Sequence, residues 1–115
     1  MIPTPTRILL STSPADFRKS IDGLAALVEL VLRESPLSGT MFVFRNRRGN
    51  ALKLLVWSAG GFVLVYKKLE QGCFRVPKSE ALQLSLTPAE VAAILEGIDL
   101  ERARRLPRWT PHPTA

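Results

Sequence analysis

The chain has 115 residues, 46% of them hydrophobic, enough for one compact domain with a real core and too few for two ordinary ones. Sixteen basic and ten acidic residues leave a net charge of +6, and there is one cysteine and one histidine. An internal disulfide and a cysteine-based zinc cluster are excluded, and no run of about 18 uncharged apolar residues is present to span a membrane.

In chain order, RILLST (7–12) reads as a short first strand. The opening MIPTPTRILLSTSP has no basic stretch followed by an apolar segment and a small-residue cleavage site, so no secretory signal is expected. The lone Cys73 suits a reducing cytoplasm. Next, Ser13, Pro14 and Asp16 stand as N-cap, first helical residue and capping-box acid of a long helix running on through FRKSIDGLAALVELVLRE. Phe17, Ile21, Leu24, Val28 and Val31 recur at helical spacing and predict its buried stripe. Gly23 within it implies a close approach by another element, and SPLSG (35–39) ends it.

Four strands joined by glycine-bearing turns are then expected: MFVF (41–44), ALKLLVW (51–57), FVLVYKKL (62–69) and CFRVP (73–77), with QLSL (83–86) as one more. Thr87, Pro88 and Glu90 form a second capping box, and Val91, Ile94, Leu95 and Ile98 give that shorter helix its buried side. ERARRLPRWTPHPTA closes the chain as a basic, proline-rich tail. The expected architecture is α+β: a mostly antiparallel meander of four to six strands, one long N-terminal helix and one shorter C-terminal helix packed on it. Residues 1–100 would make a single domain and 101–115 a flexible tail.

Charge is segregated. Residues 1–40 are balanced; residues 41–79 hold eight bases against Glu70 alone, net +7; residues 80–101 hold five acids and no base; residues 102–115 add four arginines. In a meander, the turn RNRRGN (45–50) and the turn after Lys67 and Lys68 fall at the same end of the sheet, where the strand carrying Arg75 begins. Arg45, Arg47, Arg48, Lys53, Lys67, Lys68 and Arg75 would therefore share one rim, opposite the uncharged SAGG turn (58–61). Like charges held together gain nothing from folding, and a surface built for solubility alone would mix signs. The rim is read as a nucleic-acid phosphate contact, arginine's planar fork suiting two oxygens at once. Such contacts position a protein without reading bases. Trp57 and Tyr66, on neighbouring strands, are either a base-stacking platform or sheet core, and Trp109 is an aromatic of the tail. Arg18 and Lys19 stand in the first turn of the long helix, with Asp22 placed to pair with Arg18.

Catalytic chemistry is hard to find. The only histidine, His112, lies in the tail, no GxxxxGK loop or dinucleotide fingerprint occurs, and the carboxylates are too scattered for a two-metal centre. A non-enzyme without cofactor or metal is expected.

ADFRKSIDGLAALV (15–28), FVFRNRRGNALKLLVW (42–57), GFVLVYKKLEQGCFRVP (61–77) and LTPAEVAAILEGID (86–99) resemble the TnpB-type accessory protein of insertion sequence family 66, in order, over about residues 7 to 100. This is not the RNA-guided nuclease of the same short name, which is far larger. The resemblance implies a bacterial, non-transposase role in transposition beside DNA, the transposase and the element's other small protein, and it carries over no catalytic residue. The sequence departs from the family at Trp57–Ser58, where tryptophan–aspartate is common, and at Val76–Pro77, where tryptophan precedes the proline. Two functions follow as expectations. One is a non-catalytic DNA-binding accessory factor; the other is an adaptor whose rim docks an acidic surface of the transposase without touching DNA. Pairing of the acidic segment 80–101 with the rim of another copy would give a homo-oligomer.

Overall fold

A computed structural model describes residues 5–100 and 102. Five strands form one mixed sheet in the order β4-β3-β2-β1-β5: β1 (Ile8–Ser11), β2 (Met41–Arg45), β3 (Ala51–Ser58), β4 (Gly61–Lys68) and β5 (Gln83–Leu86). Two short helices, α1 (Ile21–Leu27) and α2 (Pro88–Leu95), complete it. The expected tail at 101–115 lies outside the described residues, Arg102 excepted.

The β2-β3-β4 part is the antiparallel meander that the glycine turns predict. The rest corrects that expectation. β1 lies between β2 and β5, parallel to β2 and antiparallel to β5. A parallel pair needs a long crossover, and the 29 residues from Thr12 to Thr40, with α1 among them, supply it. QLSL is indeed a strand, but it pairs with β1 rather than extending the meander.

Both faces of the sheet are covered. On one face Leu24, Val28 and Leu32 pack on Leu9, Phe42, Phe44 and Leu55. On the other, Val91 and Ile94 of α2 pack with Leu10, Val43, Leu52, Leu54 and Phe74. Hence β3 is buried continuously from Ala51 to Val56 instead of alternating.

The first helix is shorter than expected and starts late. Ala15 donates its N–H to the Arg45 carbonyl (3.0 Å) and forms an isolated parallel bridge with Asn46, so this segment is tied to the end of β2 instead of opening a helix. The Asp16 carboxylate is taken by Arg18, which also replaces the expected Arg18–Asp22 pair. α1 then widens into a π turn over Val28–Leu32, closed by Arg33 in the left-handed region (φ 57°). That wider turn shifts the stripe: Leu32 is buried, whereas Val31 is 49% exposed. The atoms nearest a Cβ at Gly23 belong to the Lys19 side chain (3.0 Å), in the segment just before α1, and not to another element as expected.

Residues 73–77 are not a strand. Phe74 is fully buried in the α2-side core and its N–H donates to the Gly49 carbonyl (2.8 Å), so the segment crosses a face of the sheet instead of lengthening its edge. The second capping box forms as expected, Thr87 and Glu90 bonding each other's backbone (3.1 and 3.0 Å). Ile98, beyond the helix end, is 43% exposed and contributes little to that core.

Candidate nucleic-acid interface

The turn between β2 and β3 is built by Asn46. Its Oδ1 accepts the Ala51 N–H (3.0 Å), its Nδ2 donates to Asn50 Oδ1 (2.7 Å), and its carbonyl accepts the Gly49 N–H (3.0 Å). Gly49, at φ +77°, takes the left-handed position. Arg47 and Arg48 are left exposed at the tip.

Other segments arrive at this end through backbone bonds. Lys67 and Lys68 lie opposite Leu52 and Ala51 in the β3–β4 ladder, and Leu69 N–H donates to the Asn50 carbonyl (2.7 Å). The Gly49–Phe74 bond and the Cys73 thiol on the Arg48 carbonyl (3.4 Å) seat the loop that carries Arg75. The Ala15–Arg45 bond adds the segment with Asp16 and Arg18. Cations distant in sequence thus converge, Lys67 and Lys68 through the meander as expected and Arg75 through a loop instead of the expected strand.

Their states differ. Arg47, Arg48, Lys68 and Arg75 are exposed. Lys67 is exposed but its Nζ donates to the Leu95 carbonyl at the end of α2 (2.7 Å), where the helix dipole favours a cation. Arg45 is half-buried, its guanidinium lying where a side chain at Gly49 would be: a Cβ there would stand 2.2 Å from Nη2. Lys53 does not belong to the exposed rim. It is 6% exposed, its Nζ donates to the carbonyls of Phe17 (3.1 Å) and Lys19 (2.8 Å), and the rings of Phe17 and Tyr66 lie 4.9 and 5.2 Å away. It clamps the segment before α1 to the sheet. Side-chain alternation along β3 puts Lys53 on the same face as Leu55, and α1 covers that face.

Two grooves flank the turn. One, of about 540 Å³, runs between residues 14–18 and 46–48, with Arg18, Arg47 and Arg48 along it. The other, of about 460 Å³, is lined by Arg45, Arg75 and Lys78 together with Thr12, Ser79 and Asp99. Arg18 and Lys78 extend the seven expected cations. Lys78 was legible as a member of the same basic block, two residues past Val76.

No carboxylate among the described residues forms an ion pair with Arg47, Arg48, Lys67, Lys68 or Arg75. Among the described residues the ion pairs are Arg7–Glu34, at the other end of the sheet, and Arg18–Asp16. Asp16 binds Arg18 through both oxygens (2.7–3.1 Å), and that hydrogen bonding holds its carboxyl down at about 2 while raising the Arg18 guanidinium. Asp99 borders the second groove, with Oδ1 accepting the Arg102 N–H (3.1 Å).

The aromatic platform is not assembled at this end. Trp57 pairs edge-on with Phe62 (5.0 Å) near the far turn, four residues along β3 from Lys53, the partner of Tyr66. Tyr66, 52% exposed, lies near the basic end and meets Phe17 edge-on (6.0 Å). Trp109 and His112 lie outside the described residues. Among the described residues no helix is long and apolar enough to cross a membrane, and no three His, Cys, Asp or Glu side chains gather as a metal site.

Comparison with known proteins agrees with the resemblance read from the sequence. The model of the IS66 Orf2-like proteins matches residues 6–105. Two curated relatives from Sinorhizobium fredii, the uncharacterized proteins y4jC and y4hO, are 37% and 38% identical over 109 residues. The matches cover 95% and 94% of this chain and 93% and 90% of theirs. No solved structure matches. The chain belongs to the IS66 Orf2-like (TnpB) family, and its role is an accessory one associated with transposition of such insertion sequences.

Proposed function

We propose that this protein is a non-catalytic DNA-binding accessory factor that grips phosphates through the basic end of its sheet and assists a separate transposase. One observation carries the reading: three chain segments deliver Arg47, Arg48, Lys68 and Arg75 to one end, where no carboxylate among the described residues pairs with them. Arg45 lies beneath, and Lys53 supports the site from within. Two carboxylates of this end have partners of their own: Asp16 holds Arg18, and Asp99 accepts the Arg102 N–H.

If four to six phosphates are contacted, log K falls against log salt with a slope of about −4 to −5. The test is binding of the full chain to element-end DNA and to random DNA of equal length at two salt concentrations. Equal binding to both defines a sequence-independent grip. Absence of binding to either at low salt overturns the proposal. If the transposase then co-purifies with the chain despite nuclease treatment, and charge reversal at Arg47 and Arg48 abolishes this, the same end is an adaptor surface instead.

A further inference from the structure

The groove on the α2 side of the basic turn differs from the exposed tip. Arg45 leaves β2 on the face that carries Met41 and Val43, opposite Leu52, and enters the groove above the fully buried Phe74. Its guanidinium rests on Gly49, the one residue type whose backbone leaves room for it at that position. Nε is buried without a hydrogen-bond partner, and no ion pair reaches the group among the described residues. Leaving that one buried donor unpaired is unfavourable. Arg75 and Lys78 line the same groove from a different segment, and Thr12 and Ser79 add hydroxyls. Against these three cations stands one carboxylate, Asp99, which leaves a local charge of +2. Three cationic side chains around a concave, doubly positive site suit a tetrahedral dianion better than an extended chain of charge.

We propose that the Arg45–Arg75–Lys78 groove is a phosphate subsite that takes a single phosphate group, separate from the phosphates met by Arg47 and Arg48. This deepens the phosphate-gripping reading and rests on it. Arg45 supplies the bidentate contact, while Arg75 and Lys78 close on the group from the rim. Two sources share this chemistry: a phosphodiester within a strand and a monoester at a strand end. The doubly positive site favours the second.

The experiment titrates the full chain with inorganic phosphate in about 0.15 M chloride, where the screening length is about 8 Å, followed by calorimetry, and then with short duplexes bearing either 5′-phosphate or 5′-hydroxyl ends. Arg45→Met is expected to weaken inorganic phosphate about tenfold or more, since a charge-assisted bidentate contact is lost. The tip variant Arg47→Glu/Arg48→Glu is expected to change it by less than about threefold, because long-range charge is screened. Should Arg45→Met fail to fold, Arg75→Gln/Lys78→Gln removes two exposed members of the site and carries the same expectation. Tighter binding of the 5′-phosphate duplex that vanishes in the groove variant identifies a strand end as the ligand; equal binding of both duplexes, still weakened by the variant, identifies an internal phosphodiester. The subsite is overturned if phosphate does not bind, or if tip and groove variants weaken it equally. DNA binding by the unsubstituted chain without any phosphate binding removes the subsite and leaves the broader reading standing. Phosphate binding by the unsubstituted chain without DNA binding removes the broader reading and leaves the subsite.

Discussion

The two ends of the sheet handle charge in opposite ways. At the end where β1 and β2 begin, Arg7 is paired with Glu34, whose other oxygen accepts from Gln83 (3.2 Å), and Arg33 shares a shallow groove with Glu29 and Glu34. The β3–β4 turn at this end, Ser58–Gly61, carries no charge. At the other end Arg47, Arg48, Lys68 and Arg75 have no acidic partner among the described residues, and the only local ion pair is Asp16–Arg18. Exposed ion pairs contribute little to stability, so the difference is not one of folding energy. It concerns which end is left with unpaired charge.

The largest expected effect comes from reversing the tip. Arg47→Glu/Arg48→Glu should weaken DNA binding about 100-fold at low salt while moving the melting temperature by less than about 2 °C, because exposed turn charges contribute little to stability. A fall in melting temperature comparable to that of a core variant would show that the tip is structural and would dissolve the contrast between the ends.

Next is Lys53→Met, which keeps the length of the side chain and removes its donors. Two carbonyls, of Phe17 and Lys19, lose their partner, so unfolding free energy should fall by about 2 kcal/mol in chemical denaturation. At a temperature where the variant is folded, the salt slope for DNA should be unchanged. A slope lowered by a full unit would return Lys53 to the phosphate contacts.

At the far turn the effect on stability is smaller and binding should not respond. Gly60 lies at φ +82° beside Ala59 at φ 49°, the pattern of a two-residue turn with both central residues left-handed. Gly60→Ala should cost about 1 kcal/mol, whereas Gly61→Ala, outside that region and with open space around it, should be nearly neutral. Equal costs would mean that the turn is set differently.

The smallest effect sharpens the picture of the α1-side groove. Asp16 has its carboxyl lowered from 3.8 to about 2 by Arg18, so the stability it contributes is complete above pH 3.8 and lost as pH falls toward 2. A melting-temperature difference between the protein and Asp16→Asn should be present at pH 5 and gone by about pH 2. A difference independent of pH would assign it to packing.

Much of this was legible in the sequence, and the failures have physical causes. The glycine turns and apolar runs give β2, β3 and β4 in their order, and that alone brings Lys67 and Lys68 to the end of the Arg47–Arg48 turn. A strand, a helical pattern and a second strand in succession also fit a parallel crossover, but the meander pattern masks it; only the pairing of β1 with β2 decides. Ser13-Pro14-x-Asp16 has helix-start chemistry, yet the Ala15–Arg45 bond and the Arg18–Asp16 pair compete locally and win. Lys53 looks like any cation of a basic block. Its burial follows from the face it occupies on β3, which becomes visible only once Phe17 and Tyr66 close over it. Arg45 likewise gives no sign in sequence that its guanidinium lies on Gly49, four residues on.

A charge-matched comparison tests the central claim most directly. Arg47→Gln/Arg48→Gln and Arg7→Gln/Arg33→Gln each remove two positive charges, from opposite ends of the sheet. The slope of log K against log salt for DNA should become shallower by about 1.8 in the first variant and stay unchanged in the second. The same loss of slope in both would mean that DNA answers to net charge alone, and that the basic end is not its binding surface.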